Sequence, residues 1–244
     1  MNNNIKVAVV FAIAILGASI VLGNAFINRN NYDSNIGVTG LGVANFTSDL
    51  IVWEGSFSSE SLNLKQAYKE LENEKKIITE YLIFKGIKES ELVFNAVTSR
   101  NNSRAKYTSD GSFIGNEFLG YVLTQSLQIE SNDVEKVERI SREITELLNK
   151  GIRFYSEAPR YYYTKLSDLK IEMISKATAD AKSRAEKIAD NSGGELGKLI
   201  SARMGIFQIT GQNSKEDYSW GGTFNTSSKK KTATITMKLS YKVD

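Results

Sequence analysis

The sequence predicts an α+β fold: a mainly antiparallel sheet with about three helices packed on it, preceded by an N-terminal transmembrane helix. Three observations lead there. Val7 to Gly23, VAVVFAIAILGASIVLG, contains no charged residue. Ala177, Ala181, Ala185 and Ala189 recur every fourth residue, with Leu169, Met173 and Ile188 on or beside the same stripe, the spacing of a helix that faces a packed surface. In Thr232 to Val243, apolar Ala233, Ile235, Met237, Leu239, Tyr241 and Val243 alternate with polar neighbours, the period of a strand with one face on a core and one in water.

The apolar run, extended through Ile27, covers about 30 Å as a helix, the thickness of a bilayer's hydrocarbon core. It has no polar face, so a soluble core helix does not fit. Two readings stay open for residues 1–27: a retained single-span anchor, or a secretory signal cut after a small-x-small site such as Gly23-Asn24-Ala25. The anchor is favoured, because the run exceeds the roughly 7 to 15 apolar residues of a signal core. Residues 28–35, NRNNYDSN, read as a polar tether to one domain, 36–244.

Within that domain, Ile36 to Ala44 reads as a glycine-punctuated strand. Leu50 to Ser58 reads as a second, with Ile51, Trp53 and Phe57 on one face, hinged to the first at Asn45 to Asp49. Asn63 to Lys85 follows helical spacing through Leu64, Ala67, Leu71, Ile78 and Leu82, stops at Gly86, and opens on Asn63 and Gln66 as a capping pair. Leu92 to Ser99 is a strand and Asn101 to Glu117 a polar excursion with an Asp110-Gly111 turn. Tyr121, Leu123, Leu127 and Ile129 then alternate as the second strand of a long-looped hairpin. Asn132 with Glu135 caps a helix carried by Val134, Val137, Ile140, Ile144, Leu147 and Leu148, and Gly151 ends it. Ile152 to Tyr163 returns as one strand. The alanine helix begins near Leu166 and stops at Gly193-Gly194, since glycine accepts the left-handed conformation of a helix C-cap. A strand from Lys198 to Ile209, a Gly/Ser/Thr loop and the last strand follow. From the second strand to the fifth the order is βαββαβ, the ferredoxin-like split unit.

Composition narrows the chemistry. The chain has 31 Lys plus Arg against 28 Asp plus Glu, interspersed to a net charge of +3, which gives no footprint for nucleic acid. The one basic run, Lys229 to Lys231, lies in a polar loop and reads as solvated. Histidine and cysteine are both absent, which removes the commonest general base, thiolate nucleophiles, disulfides and the usual ligands of structural zinc. GVTGLG at Gly37 to Gly42 lacks the G-x-G-x-x-G order of a nucleotide loop and leads into a strand instead of a helix. The expectation is therefore no catalytic residue, no cofactor and no metal.

Five segments act together as a signature: the opening IGVTGLGVANFTSDL; KGI at Lys85 to Ile87 ahead of a strand; Gly120-Tyr121 opening the central strand; KGI again at Lys150 to Ile152; and the alanine helix with its GGELGKL ending. In that order they resemble the SIMPL-domain family of bacterial envelope proteins, to which the YggE-like proteins belong, over about Ile36 to Val243. The resemblance implies an exported, envelope-associated protein, linked in some relatives to stress tolerance and in some to oligomeric assembly. It brings no catalytic residues. The chain departs from many relatives in having one proline, Pro159, and in carrying a Gly/Ser/Thr loop where they often carry Pro-Gly, so the resemblance gives no conformation for the Gln212 to Lys231 loop.

Candidate contact residues are Arg160, Tyr161 and Tyr163, in the cluster beyond Pro159, and Trp220, inside Ser219-Trp220-Gly221-Gly222. Tyrosine, tryptophan and arginine are enriched at interfaces. Trp53 is expected in the core. The expected function is that of a single-pass protein of the bacterial inner membrane, crossing it through residues 7–27 with its C-terminal domain in the periplasm. It would act without catalysis, through contacts with itself as a homo-oligomer or with other envelope proteins. The alternative is a periplasmic glycan- or peptide-binding domain, enzymatic or not, behind a cleaved signal peptide.

Overall fold

The computed structural model describes residues 3–29 and 35–243, with side chains from 7 to 26 and from 35 onward. Helix α1 spans Asn3–Arg29. Its segment Val7–Phe26 is long and apolar enough to cross a membrane or to act as a signal sequence, and none of it is buried. Of the tether expected at 28–35, residues 30–34 lie outside the described residues, while Asn28 and Arg29 continue α1 and Asn35 opens the first strand. The fold is α+β with mostly antiparallel sheets, and every described strand register is antiparallel. The chain divides into two compact units, one of Val43–Ile174 with Ile206–Ile235, the other of Met1–Gly42, Ser175–Gly205 and Thr236–Asp244.

The first unit contains β2 (Leu50–Ser61), α2 (Leu64–Phe84), β3 (Leu92–Phe94), β4 (Thr98–Tyr107), β5 (Phe113–Ser131), α3 (Val134–Glu143), β6 (Phe154–Ser156) and β7 (Arg160–Tyr162). β2 and β5 pair at the centre of the sheet. The strands that follow α2, β3 and β4, pair with β5; those that follow α3, β6 and β7, pair with β2. This is the predicted ferredoxin-like arrangement. Ile51, Trp53 and Phe57 from β2, with Leu127 and Ile129 from β5, form one core with Leu71 and Ile78 of α2 and Val137 and Ile140 of α3. Trp53 is fully buried, on the strand face it shares with Ile51 and Phe57.

The caps follow the sequence in part. Asn63 accepts hydrogen bonds from the backbone N–H groups of Lys65 and Gln66, but the Gln66 amide turns along the helix to Glu70. At α3 the cap is Asp133, whose carboxylate accepts from the Lys136 N–H, while Asn132 donates to the Asp49 carbonyl. The turn that follows α3 tightens to a 3-10 segment, Ile144–Lys150, which buries Ile144 and Leu147 but leaves Leu148, expected on the same stripe, 60 % exposed, and it is ended by Gly151 in the left-handed conformation. Lys85, at the end of α2, reaches Glu143 and Glu146 at 2.9 Å each, and these two carboxylates hold its ammonium pKa above the ordinary lysine range.

Four expected elements are redrawn. The strand expected from Leu92 to Ser99 is interrupted at residues 95–97, giving β3 and the start of β4. Asn101 to Glu117 is not a loop: β4 and β5 continue as a two-stranded ribbon closed by a turn at Thr108 to Ser112. The single strand expected from Ile152 to Tyr163 is two short strands flanking Pro159, because proline supplies no ladder donor. The strand expected from Lys198 to Ile209 breaks at Gly205 into β8 (Leu196–Met204) and β9 (Gln208–Gly211).

In the sheet to which the second unit contributes Asn35–Gly42, Leu196–Met204 and Thr236–Val243, β1 (Asn35–Thr47) and β8 flank β10 (Lys230–Val243), and β8 runs antiparallel to it. Helix α4 (Leu166–Ser192) supplies the alanine row, and Ala177, Ala181, Ala185 and Ala189 are fully buried. Ile188, expected beside that stripe, is 46 % exposed. The helix ends with Gly193 at φ +77° and Gly194 donating to the Ala189 carbonyl. Gly40 of β1 meets the backbone of Ala177 and Ala181, so the small residues on both sides serve close helix–sheet approach. Asp180 clamps the same contact by accepting from the Leu41 N–H at 2.8 Å. Ala181→Leu is therefore expected to cost about 1 to 3 kcal/mol by overpacking, read in denaturant unfolding; an unchanged midpoint would contradict the buried placement.

Candidate functional site

The loop between β9 and β10 is built from its polar side chains. Gln208, buried on β9, donates from Nε2 to the Ser219 carbonyl at 2.7 Å and accepts from the Thr223 N–H at 2.6 Å. The chain then runs beside β9 for a few residues, with Ile209 donating to the Thr223 carbonyl and accepting from the Asn225 N–H. Glu216 turns inward, where its carboxylate accepts from the Gly211 N–H at 2.8 Å and from the Asn225 amide. These donors, the Gly211 N–H first, hold its pKa below the ordinary glutamate value. Asn225, buried in turn, accepts from the Ser228 N–H.

Lys231 closes the base of this loop and overturns the reading of Lys229 to Lys231 as a solvated run. It is 1 % exposed, donates to the Tyr161 carbonyl at 2.5 Å and lies 5.8 Å from the centre of the Phe224 ring. Burial pushes its pKa down to about 8 against the opposing pull of Glu216. Lys229 is not free either: it pairs with Glu135 and Glu138 of α3. Only Lys230 of the run lacks such burial or pairing among the described interactions, because alternate residues of a strand face opposite ways.

Trp220 sits on the outer part of this pinned loop and is 95 % exposed. Beside it, Gly221, Gly222, Thr223 and Phe224 line a hollow of about 290 Å³ with Leu166, Lys170, Ile206 and Phe207. Ile206 and Phe224 are themselves about half exposed, and the Lys170 ammonium lies 5.4 Å from the centre of the Phe207 ring. The result is an aromatic and aliphatic surface with one cation at its edge.

The other candidates do not share this surface. Tyr161 is buried, its backbone N–H donates to the Thr226 carbonyl, and burial together with the Glu138 carboxylate raises its phenol pKa. Its part is to anchor the base of the loop. Arg160 pairs with Glu54 on the adjacent strand, and the Tyr163 ring packs against Phe46 with centroids 4.8 Å apart. Among the described residues, no group of acidic side chains is arranged to hold a metal ion.

The family model of SIMPL, described as a protein of unknown function (DUF541), matches residues 36–241. The chain belongs to the SIMPL family. Comparison with curated proteins gives no match.

A second exposed surface of this SIMPL domain escapes pattern reading. Past Tyr121, where pairing with β2 ends, β5 is paired with β4 alone. Leu119 and Ile114 are extra residues at two register shifts, so the ribbon bends as bulges require. Gly120, at φ +143° beside the first shift, has the Ser61 carbonyl 2.8 Å from where a Cβ would stand, which explains the glycine of the Gly120-Tyr121 pair. The ribbon exposes Tyr107, Phe113, Ile114 and Phe118. Its one sequence signal is Asp110-Gly111 between aromatic residues, a hairpin turn signature.

Proposed function

We propose that this SIMPL protein is held in the bacterial inner membrane by Val7–Phe26, carries its domain in the periplasm, and acts by binding further copies of itself and not by catalysis. Trp220 carries the reading. An indole 95 % exposed, on the same loop as half-exposed Phe224, leaves apolar area in water that a partner would cover. The loop that presents it is already fixed by Gln208, Glu216 and Asn225, so association escapes much of the ordering cost that weakens flexible contacts. Those same polar groups are spent on internal hydrogen bonds, which supports a structural role over a catalytic one. The stress tolerance linked to some relatives is the setting in which we place this assembly.

Light scattering on the detergent-solubilised full chain is expected to give a mass above one chain at micromolar concentration. Trp220→Ala should lower that mass while changing unfolding free energy by no more than about 0.5 kcal/mol, as for other exposed sites. A wild-type chain that stays monomeric would sink the proposal. The hollow beside Trp220 favours a second reading, in which a glycan or peptide stacks on the same indole. Peptidoglycan fragments would then quench tryptophan fluorescence of a monomeric chain, and Trp220→Ala would remove the change.

A further inference from the structure

The sheet face of the second unit that is turned away from the alanine row carries two cations set against each other. The antiparallel register of β8 and β10 places Arg203 directly opposite Lys238, and Ser201 directly opposite Ser240. Like charges across a strand pair destabilise it. Neither cation makes an ion pair among the described residues, although many other lysines and arginines of the chain do. A hollow of about 260 Å³ lies at this point, lined by Arg203, Lys238, both serines, Asn35 and Gly37. A Cβ at Gly37 would meet nothing within 4 Å, so the β1 side of the hollow is open.

We propose that this hollow binds a phosphate group. The Arg203 guanidinium offers a planar fork of donors that matches phosphate oxygens, the Lys238 ammonium adds a second charge, and the serine hydroxyls and the Asn35 amide supply neutral donors. An anion between Arg203 and Lys238 turns a repulsive cross-strand pair into two attractive contacts. Chain length favours a lipid headgroup as the source. Asn35 follows the end of α1 at Arg29 by six residues, a span of at most about 20 Å even when fully extended. That preference, unlike the site itself, rests on α1 being a membrane anchor.

The test is calorimetry on the full chain in maltoside micelles, which carry no phosphate, with Arg203→Gln, Lys238→Gln and Lys198→Gln as variants. Lys198 lies on the same strand but outside the hollow, so its variant removes an equal charge without touching the site. One arm adds inorganic phosphate and the other dopes phosphatidylglycerol into the micelles. Saturable binding is expected, weakened about tenfold or more by Arg203→Gln or Lys238→Gln and unchanged by Lys198→Gln. Saturation with the lipid alone assigns a headgroup, and equal saturation with inorganic phosphate assigns a soluble phosphate, an arm that stands even if α1 is removed as a signal. No saturable heat in either arm, or equal losses for all three variants, overturns the site.

Discussion

A Gly40→Val chain is expected to lose about 3 kcal/mol or more of stability, the upper end of what overpacking costs. The reason is the atom that a Cβ would meet. It would stand inside van der Waals contact of the Ala177 carbonyl oxygen and the Ala181 nitrogen, and 2.7 Å from the Ala181 methyl. Side chains can rotate away from an intruding methyl, but helix backbone cannot move without displacing the buried alanine row. The Leu41 N–H to Asp180 bond, one residue along, would be stretched by the same displacement. Denaturant unfolding of Gly40→Val measures the loss. Adding Ala181→Gly should recover only a small part, because it removes the methyl and leaves both backbone contacts. Full recovery in the double variant, or a Gly40→Val chain as stable as wild type, would show that the helix does not dock through this glycine.

Where packing alone decides the residue, the sequence is easily read. The alanine row and the alternation of β10 carry their burial in local periodicity, and the structure buries Ala177, Ala181, Ala185 and Ala189, and Ile235, Met237, Leu239 and Tyr241, accordingly. β4 is the opposite case. TSRNNSRAKY is wet on both faces, so no alternation marks it, and its strand exists because β5 supplies a ladder. The candidate surface divides in the same way. Exposure of Trp220 follows from its glycine-flanked loop, but a run such as Arg160 to Tyr163 shows only that alternate residues face opposite ways, without saying which set faces inward. The structure puts Tyr161 inside. Lys231 is the furthest from legible, because what buries it comes from elsewhere in the chain: the Tyr161 carbonyl, the Phe224 ring and the loop folded around Glu216.

That burial gives the SIMPL domain a distinctive alkaline response. Lys231 has its folded pKa depressed to about 8, against an ordinary lysine value near 10.5 in the unfolded chain. Below pH 8 both states hold the proton and the cost of burying the charge is constant. Between about 8 and 10.5 the unfolded chain binds more protons than the folded one, so this group makes stability rise with pH. From the separation of the two pKa values, the gain reaches about 2 to 3 kcal/mol by pH 10. Lys85 and Lys229 act the other way, since carboxylates raise their folded values, but their contribution is lost only above about 10.5. Tyr81 and Tyr161, raised by burial, also begin to oppose only above pH 10. The window from 8 to 10 therefore belongs to Lys231, and Lys231→Met isolates it. Methionine keeps the length and apolar stem of the side chain, leaves the Tyr161 carbonyl without its ammonium donor at every pH, and does not titrate. Unfolding free energies of wild type and Lys231→Met, measured at pH 7.5 and at pH 10, should differ by an amount that shifts about 2 to 3 kcal/mol in favour of wild type at the higher pH. A difference that stays constant across the two would mean that Lys231 keeps an ordinary pKa, and hence that the loop around Glu216 and Asn225 does not seal it from water.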